Sequence, residues 1–315
     1  MERHRPHRWA DLTPAAGAAV MATGIVSVGL HLTGRQVLSA VLLVLAAGLW
    51  VVLAADFTWR LLRDRDRWIT EADTPPALTG VAATCVLGTR LALSGRHPAA
   101  AVLLAVATLA WPGLLITVIR HWRRRMPGAA FLVCVATQAL AVLAAVLAPV
   151  YGSWLARGAL VLFCLGVLLY GLALFHFDPR QVVSGAGDQW VAGGAMAISA
   201  LAGSKLLPSP LWTGTAHTVL RTATLTLLGL ALAWYLVLAA AELARPRLSY
   251  DIRRWATVFP LGMTAVACLN AGPATGVHQL STLGRPLLWI ATAVWLLTLV
   301  GFLRRAWSEA ADPTP

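Results

Sequence analysis

Charge is scarce in this chain, and acidic charge scarcest: charged residues make up 12% of its 315 positions, with 13 Asp and Glu against 25 Lys and Arg. Together with 58% hydrophobic residues and a mean hydropathy of +0.72, that scarcity excludes an ordinary soluble domain and points to repeated membrane spans. The segments between the apolar stretches are short and mostly charged. No separate soluble domain is left for binding or catalysis, so function has to reside in the membrane part. Cysteine is nearly absent too. Cys85, Cys134, Cys164 and Cys268 each stand alone inside an apolar stretch, without the CxxC spacing of a metal site or a loop pair for a disulfide. They are read as packing residues, and no metal or cofactor is expected.

Ten stretches reach the roughly 20 apolar residues of a spanning helix: 12–31, 37–58, 77–94, 98–119, 129–149, 154–175, 188–207, 216–241, 255–273 and 284–303. They form a single transmembrane domain over 1–315, and their even number puts both termini on one side. That side receives Arg3, Arg5, Arg8, Arg60, Arg63, Arg65, Arg67, Arg120, Arg123, Arg124, Arg125, Arg180, Arg245, Arg247, Arg253, Arg254, Arg304 and Arg305. The other receives Arg35, Arg90, Arg96, Arg157, Lys205, Arg221 and Arg285. The positive-inside rule therefore places both termini in the cytoplasm of a multi-pass protein of the inner (plasma) membrane. The net charge of +12 is topology rather than a nucleic-acid footprint, because the arginines form no separate basic domain. The basic N-terminus is not followed by a short apolar run with a small-residue cleavage site, so the first span is expected to be retained.

Two kinds of helix alternate. The odd spans are built of Ala, Gly, Ser and Thr, as in AAGAAVMATGIVSVG at 15–29 and WVAGGAMAISALAGS at 190–204, and the even spans are rich in Leu. Small residues let backbones approach closely in a bilayer, whereas long apolar chains suit the lipid face, so the odd helices belong inside. Small-polar sites recur in the odd spans at Thr23, Thr84, Thr137, Ser199 and Cys268, roughly one helical hairpin apart. The expected fold is all-α: five hairpins in quasi-fivefold arrangement, five inner helices around an axis and five outer ones shielding them.

Thr23, Ser27 and His31 fall at i, i+4 and i+8, as do Gly80, Thr84 and Gly88, and Ala195, Ser199 and Gly203. Such stripes line a narrow wet path or serve close helix packing equally well. The interiors of the odd spans hold no carboxylate; Asp11, Asp188 and Asp251 stand at their cytoplasmic starts. A cation path calls for acidic rings, so their absence favours an anion or a neutral solute. Arg90 and Lys205, near the outer ends, either draw anions to a pore mouth or snorkel to headgroups. In the ninth span Pro260 lacks an N–H and follows Phe259, on a face continuing through Gly262, Met263 and Val266. A bend beside a large aromatic is a candidate gate that blocks ions by dewetting; alternatively Phe259 faces lipid or a packed neighbour.

The segments VMATGIVSVGL at 20–30, ATCVLG at 83–88, DQWVAGGAMAISALAG at 188–203 and RWATVFPLGMTAVA at 254–267 resemble the tellurite-resistance and C4-dicarboxylate transporter family. That family includes the slow anion channels of plant guard cells and fungal malate and sulfite transporters. The resemblance implies ten helices in five hairpins around an anion pore, a homotrimer with one pore per subunit, and occlusion of that pore by Phe259. The expected partners are then small inorganic or organic anions and the lipid bilayer, with tellurite resistance a possible outcome of anion permeability. Two other readings compete. A proton-coupled dicarboxylate carrier needs a titrating group, for which His31 and then Lys205 are the candidates. A membrane enzyme would have to use His176 and Asp178 in HFDPR, two groups without further partners; no catalytic residue is expected.

Overall fold

The computed structural model describes residues 16–63, 74–247 and 250–311. Arg3, Arg5, Arg8, Asp11, Pro14, Arg65 and Arg67 lie outside the described residues. Among the described residues ten long helices follow one another: α1 (Gly17–Leu32), α2 (Gln36–Arg63), α3 (Leu78–Leu93), α4 (His97–Arg120), α5 (Leu132–Tyr151), α6 (Ser153–His176), α7 (Val191–Leu206), α8 (Gly214–Ala244), α9 (Trp255–Thr275) and α10 (His278–Ala311). The extended pairing among the described residues is a single bridge between Met126 and Phe177.

Eight of these helices, counted with the short 3-10 turns that open α3, α5 and α9, are long and apolar enough to cross a membrane. The other two, α1 and α7, have 16 residues each, about 24 Å of rise against a hydrocarbon core of about 30 Å. The outer helices run past their expected ends: α10 starts six residues before 284 and continues to 311, because hydropathy marks only the apolar middle of a helix whose polar ends extend beyond it.

Burial alternates as the small residues indicate. In its most apolar window α5 is 94% buried and α2 17%; α1, α3, α7 and α9 are likewise mostly buried, and α4, α6, α8 and α10 mostly exposed. Each odd helix packs against the even helix that follows it, giving five hairpins. The odd helices also contact one another in a closed cycle: α1 with α3, α3 with α5, α5 with α7, α7 with α9, and α9 back to α1. Glycines set the closeness of these contacts, since a Cβ on Gly24 would lie 2.8 Å from Val86 and one on Gly262 2.8 Å from Ile25.

A second contact joins each outer helix to the inner helix of the next hairpin, α2 to α3 and so on to α10 against α1. Three of these joints carry the same hydrogen bond. The Trp50 indole donates to Thr84 Oγ1 at 2.8 Å, Trp111 to Thr137 Oγ1 at 3.0 Å, and Trp295 to Thr23 Oγ1 at 3.0 Å. A buried indole N–H is costly without a partner, so these pairs fix the rotation of each outer helix. Replacing any of the three tryptophans by Phe should lower stability by about 0.5–1.5 kcal/mol, read as a lower thermal midpoint in detergent. The same change at Trp289, which is exposed, should leave the midpoint in place.

The cysteines are all free. Cys85, Cys134 and Cys268 are buried, whereas Cys164 is exposed on α6. Its Leu-rich helix is mostly solvent- or lipid-facing, which lone-residue spacing does not reveal.

Candidate functional site

The cycle of inner helices encloses an interior, and which side chains enter it follows from which faces are already taken. On α9, Pro260 lies against α7, where a Cβ on Gly194 would come within 2.8 Å of Pro260 Cγ. Gly262 lies against Ile25 of α1, and Gly272 against Ser281 of α10. At 3.6 residues per turn, the sector left over carries Phe259, Met263 and Asn270. Phe259 is 1% exposed and, with Phe131, the largest of the fully buried side chains. Val266 sits at the edge of this sector toward α1, where a Cβ on Gly29 would lie 3.3 Å from it.

The same reasoning applies to α7. Ala195 and Ser199 face Cys134 of α5, Gly193 faces Trp234 of α8, and Gly203 backs onto Thr224 of α8. The free sector carries Ile198, Ala202 and Lys205. On α3, Val86 meets Gly24 of α1, Gly88 meets Leu143 of α5 and Thr84 meets Trp50; Ala82, Cys85 and Thr89 remain. Helix α1 turns Thr23 to α10, Ser27 to α2 and Ile25 to α9, which leaves Met21 and Val28. Helix α5 leaves Val135, Ala139 and Val142. The interior is therefore lined mostly by methyls, two thioethers and one phenyl ring, with the polar groups of Cys85, Thr89, Lys205 and Asn270 among them.

Several residues expected on a conducting face have other engagements. The hydroxyls of Thr84 and Thr137 accept from indoles and donate to the carbonyls of Gly80 and Val133, both at 2.8 Å. Gly80 is exposed and lines, with Thr84, Trp50 and Ala110, a mostly apolar cleft of about 380 Å³ among α2, α3 and α4. Ser27 Oγ donates to the Ser39 carbonyl of α2 at 2.7 Å. Ser199 Oγ donates to Ala195 O at 2.7 Å. Phe259, Met263 and Lys205 are brought to the interior, and the stripes Thr23–Ser27 and Gly80–Thr84–Gly88 to helix junctions. Met21, Thr89, Ile198 and Ala202 are interior residues that the small-polar pattern passes over. Their signal is that they lie opposite the faces joined to outer helices, and it appears only once the Trp–Thr pairs are known.

The two candidate cations differ. Arg90 is 3% exposed and hydrogen-bonded within the α1–α2–α3 junction. Lys205, the chain's sole lysine, is partly exposed and makes no hydrogen bond or ion pair among the described residues. Acidic groups gather at the opposite ends of the inner helices. Asp188 Oδ2 accepts from the Ala129 N–H at 3.2 Å, and Glu242 pairs with Arg254 at 2.7 Å and with Arg247. Asp251 accepts from the Arg253 side chain and N–H, each at 2.8 Å, and these contacts hold its carboxyl below the ordinary carboxylate range.

His176 Nδ1 lies 3.0 Å from Leu172 O, and its ring meets Trp122 in a tilted arrangement with centroids 5.1 Å apart. Asp178 Oδ1 accepts from the Arg180 N–H at 3.1 Å. Both are thus engaged locally. His31 Nδ1 pairs with Gln36 at 2.7 Å at the end of α1. Among the described residues no group of three or more His, Cys, Asp or Glu could hold a metal.

The chain is 32% identical over 142 residues to an uncharacterized membrane protein of Mycobacterium tuberculosis strain CDC 1551, and equally to one of strain H37Rv. Each match covers 42% of this chain and 69% of the relative. Over residues 11–303 the sequence matches the family described as voltage-dependent anion channel, the same grouping that the segments at 20–30 and 254–267 resemble. This multi-pass membrane protein belongs to the voltage-dependent anion channel family.

Proposed function

We propose that the chain conducts small anions through the interior of its ring of inner helices, and that Phe259 with Pro260 forms the gate. The observation that carries this reading is the position of Phe259: fully buried and the largest side chain on the interior sector of α9, with smaller, mostly apolar groups around it. A constriction of that kind holds no continuous water and blocks ions without a charged barrier. The chain crosses the bilayer ten times as five hairpins in quasi-fivefold symmetry, with both termini cytoplasmic in the inner membrane. The short α1 and α7 are compatible with this, because a helix enclosed by protein does not have to match the hydrocarbon thickness by itself. Three such subunits assemble, each with its own path.

Pro260 leaves the Ala256 carbonyl without its helical partner, so α9 can flex one turn from the ring of Phe259 at little cost. Gly262 and Gly194 keep that turn close to its neighbours. The remaining lining comes from Met263 and Val266 beyond the gate and from Ile198 and Ala202 of α7, whereas Ser199 and Gly203 are taken up by contacts with α5 and α8. Lys205 gives the path its sign. It faces the interior near one end, without a counter-charge among the described residues, and a lone intramembrane cation of this kind marks an ion route. The permeant class is small monoanions and compact dianions, from chloride and nitrate to sulfite or a C4 dicarboxylate.

The test is a current measurement on purified protein in planar bilayers under a salt gradient. Reversal potentials should follow the anion gradient; potentials that follow the cation instead would sink the proposal. Lys205→Gln should lower anion conductance about fivefold, the change that about 1 kcal/mol of lost attraction makes. Lys205→Arg should retain most of it.

A further inference from the structure

Arg90 carries a charge that the conducting path does not use. It sits on the α1-facing side of α3 with Val86, while its neighbour Thr89 turns to the interior of the ring. Its Nε–H is shared by Ser27 Oγ at 3.2 Å and Ser39 Oγ at 3.0 Å, and Nη1 donates to Ser94 Oγ. The two serines are already clasped to each other: Ser27 Oγ donates to Ser39 O, and Ser39 Oγ to Ser27 O, both at 2.7 Å. Their hydrogens are therefore spent, and they offer the guanidinium lone pairs only.

A guanidinium has five N–H donors in a planar fork. These contacts engage the Nε–H and one Nη1–H. Nη2 makes no hydrogen bond among the described residues, and no carboxylate there pairs with the group. The stem of Arg90 is buried without a counter-charge while its Nη2 keeps contact with solvent, so a small anion arriving from the surface can pair with the charge. Both Nη2 hydrogens and the second Nη1–H are left without a hydrogen bond among the described residues, and these donors lie in the planar fork that receives the oxygens of an oxyanion. Ser94 lies in the exposed connection after α3, so the edge borders the surface rather than the middle of the helix bundle.

We propose that Arg90 is a binding site for one small planar oxyanion, a nitrate or a simple carboxylate, at the junction of α1, α2 and α3. The bound anion neutralises the guanidinium and ties the first hairpin to the second. This site stands apart from the gate, since its occupancy is read without any flux.

The experiment is thermal unfolding of the purified full-length protein in detergent, in sodium nitrate, sodium formate or sodium chloride at equal ionic strength. Nitrate and formate should raise the wild-type midpoint in a saturable way, as a ligand bound only to the folded state does, and chloride should raise it less. Arg90→Lys keeps the charge but loses the fork, and should abolish the difference between anions. Because Arg90→Gln risks misfolding, Ser94→Ala serves as the second variant: it leaves the fork in place and should keep the nitrate effect. Equal midpoints in all three salts for the wild type would overturn the assignment, as would a full nitrate shift persisting in Arg90→Lys.

Discussion

Phe259→Ala should turn a nearly silent protein into a conducting one, with anion current rising at least about tenfold in bilayers of equal protein content. The reasoning is that of a barrier: each 1.36 kcal/mol removed is a factor of about ten in rate, and a phenyl ring that keeps a path dry imposes more than that on an ion. The substitution has its own cost, since emptying a fully buried Phe site typically destabilises by about 3–5 kcal/mol. The current therefore has to be compared with the fraction of protein that still elutes as an intact assembly. Phe259→Leu should fall between wild type and alanine, because it shortens the plug without removing it. Met263 lies one turn along the same sector, so the double change Phe259→Ala, Met263→Ala should conduct more than the single one. Unchanged flux in correctly assembled Phe259→Ala protein would remove the gate from the proposal and leave the ring without an identified constriction.

Gly128→Ala should be among the most damaging single methyl additions in the protein. Gly128 begins the 3-10 turn ahead of α5, and a Cβ there would lie 2.5 Å from Gln189 Cα and nearer still to the Asp188 carbonyl oxygen. Both obstacles are backbone, so no side chain can swing aside. That backbone is itself held in place. Asp188 accepts from the Ala129 N–H at 3.2 Å, and the Gln189 side chain accepts from the Gly187 N–H at 2.8 Å. Gly187 has φ of 138°, a conformation that favours glycine, and a Cβ on it would lie 2.5 Å from the Arg253 carbonyl. The starts of α5, α7 and α9 are thus knotted together at one end of the ring, and a wedge at Gly128 pushes on all three. A loss of about 1–3 kcal/mol is expected from overpacking alone, measured as a fall in thermal midpoint and in yield of assembled protein. Gly48→Ala is the control: its Cβ would meet nothing within 4 Å, and alanine should be neutral or slightly stabilising there. Equal midpoints for the two variants would contradict the close approach.

The division into inner and outer helices was legible from composition, because stretches such as WVAGGAMAISALAGS at 190–204 have few side chains long enough to cover lipid and the leucine-rich α2 has many. The rotation of each inner helix was not. A helix buried on every side has no polar face to mark its orientation, so an i, i+4 stripe such as Thr23–Ser27 has no preferred side. The recurrence of Thr23, Thr84 and Thr137 was a true repeat, but what repeats with it is a tryptophan on the helix of the preceding hairpin, residues that hydropathy counts only as apolar. Arg90 illustrates the same limit. Near a helix end an arginine is expected to snorkel, and only the reciprocal clasp of Ser27 and Ser39, twelve residues apart in sequence, gives it a reason to stay inside. Phe259 was easier, since the proline that follows it fixes attention on one turn of one helix.

The closure of the ring also sets a timetable for synthesis. Helix α1 finds α2 and then α3 within a few tens of residues, but its other flank waits for α9 and α10, and the indole that meets Thr23 belongs to Trp295, 272 residues later. At about 5–20 residues per second, that flank spends on the order of 15–55 s in the bilayer before its partners exist. During that interval the growing protein is an open arc rather than a ring, with the α9-facing side of α1 available to lipid or to any other small-residue helix nearby. Assembly therefore ends with a single long-range docking event, and a defect in the last hairpin leaves the first one incompletely packed.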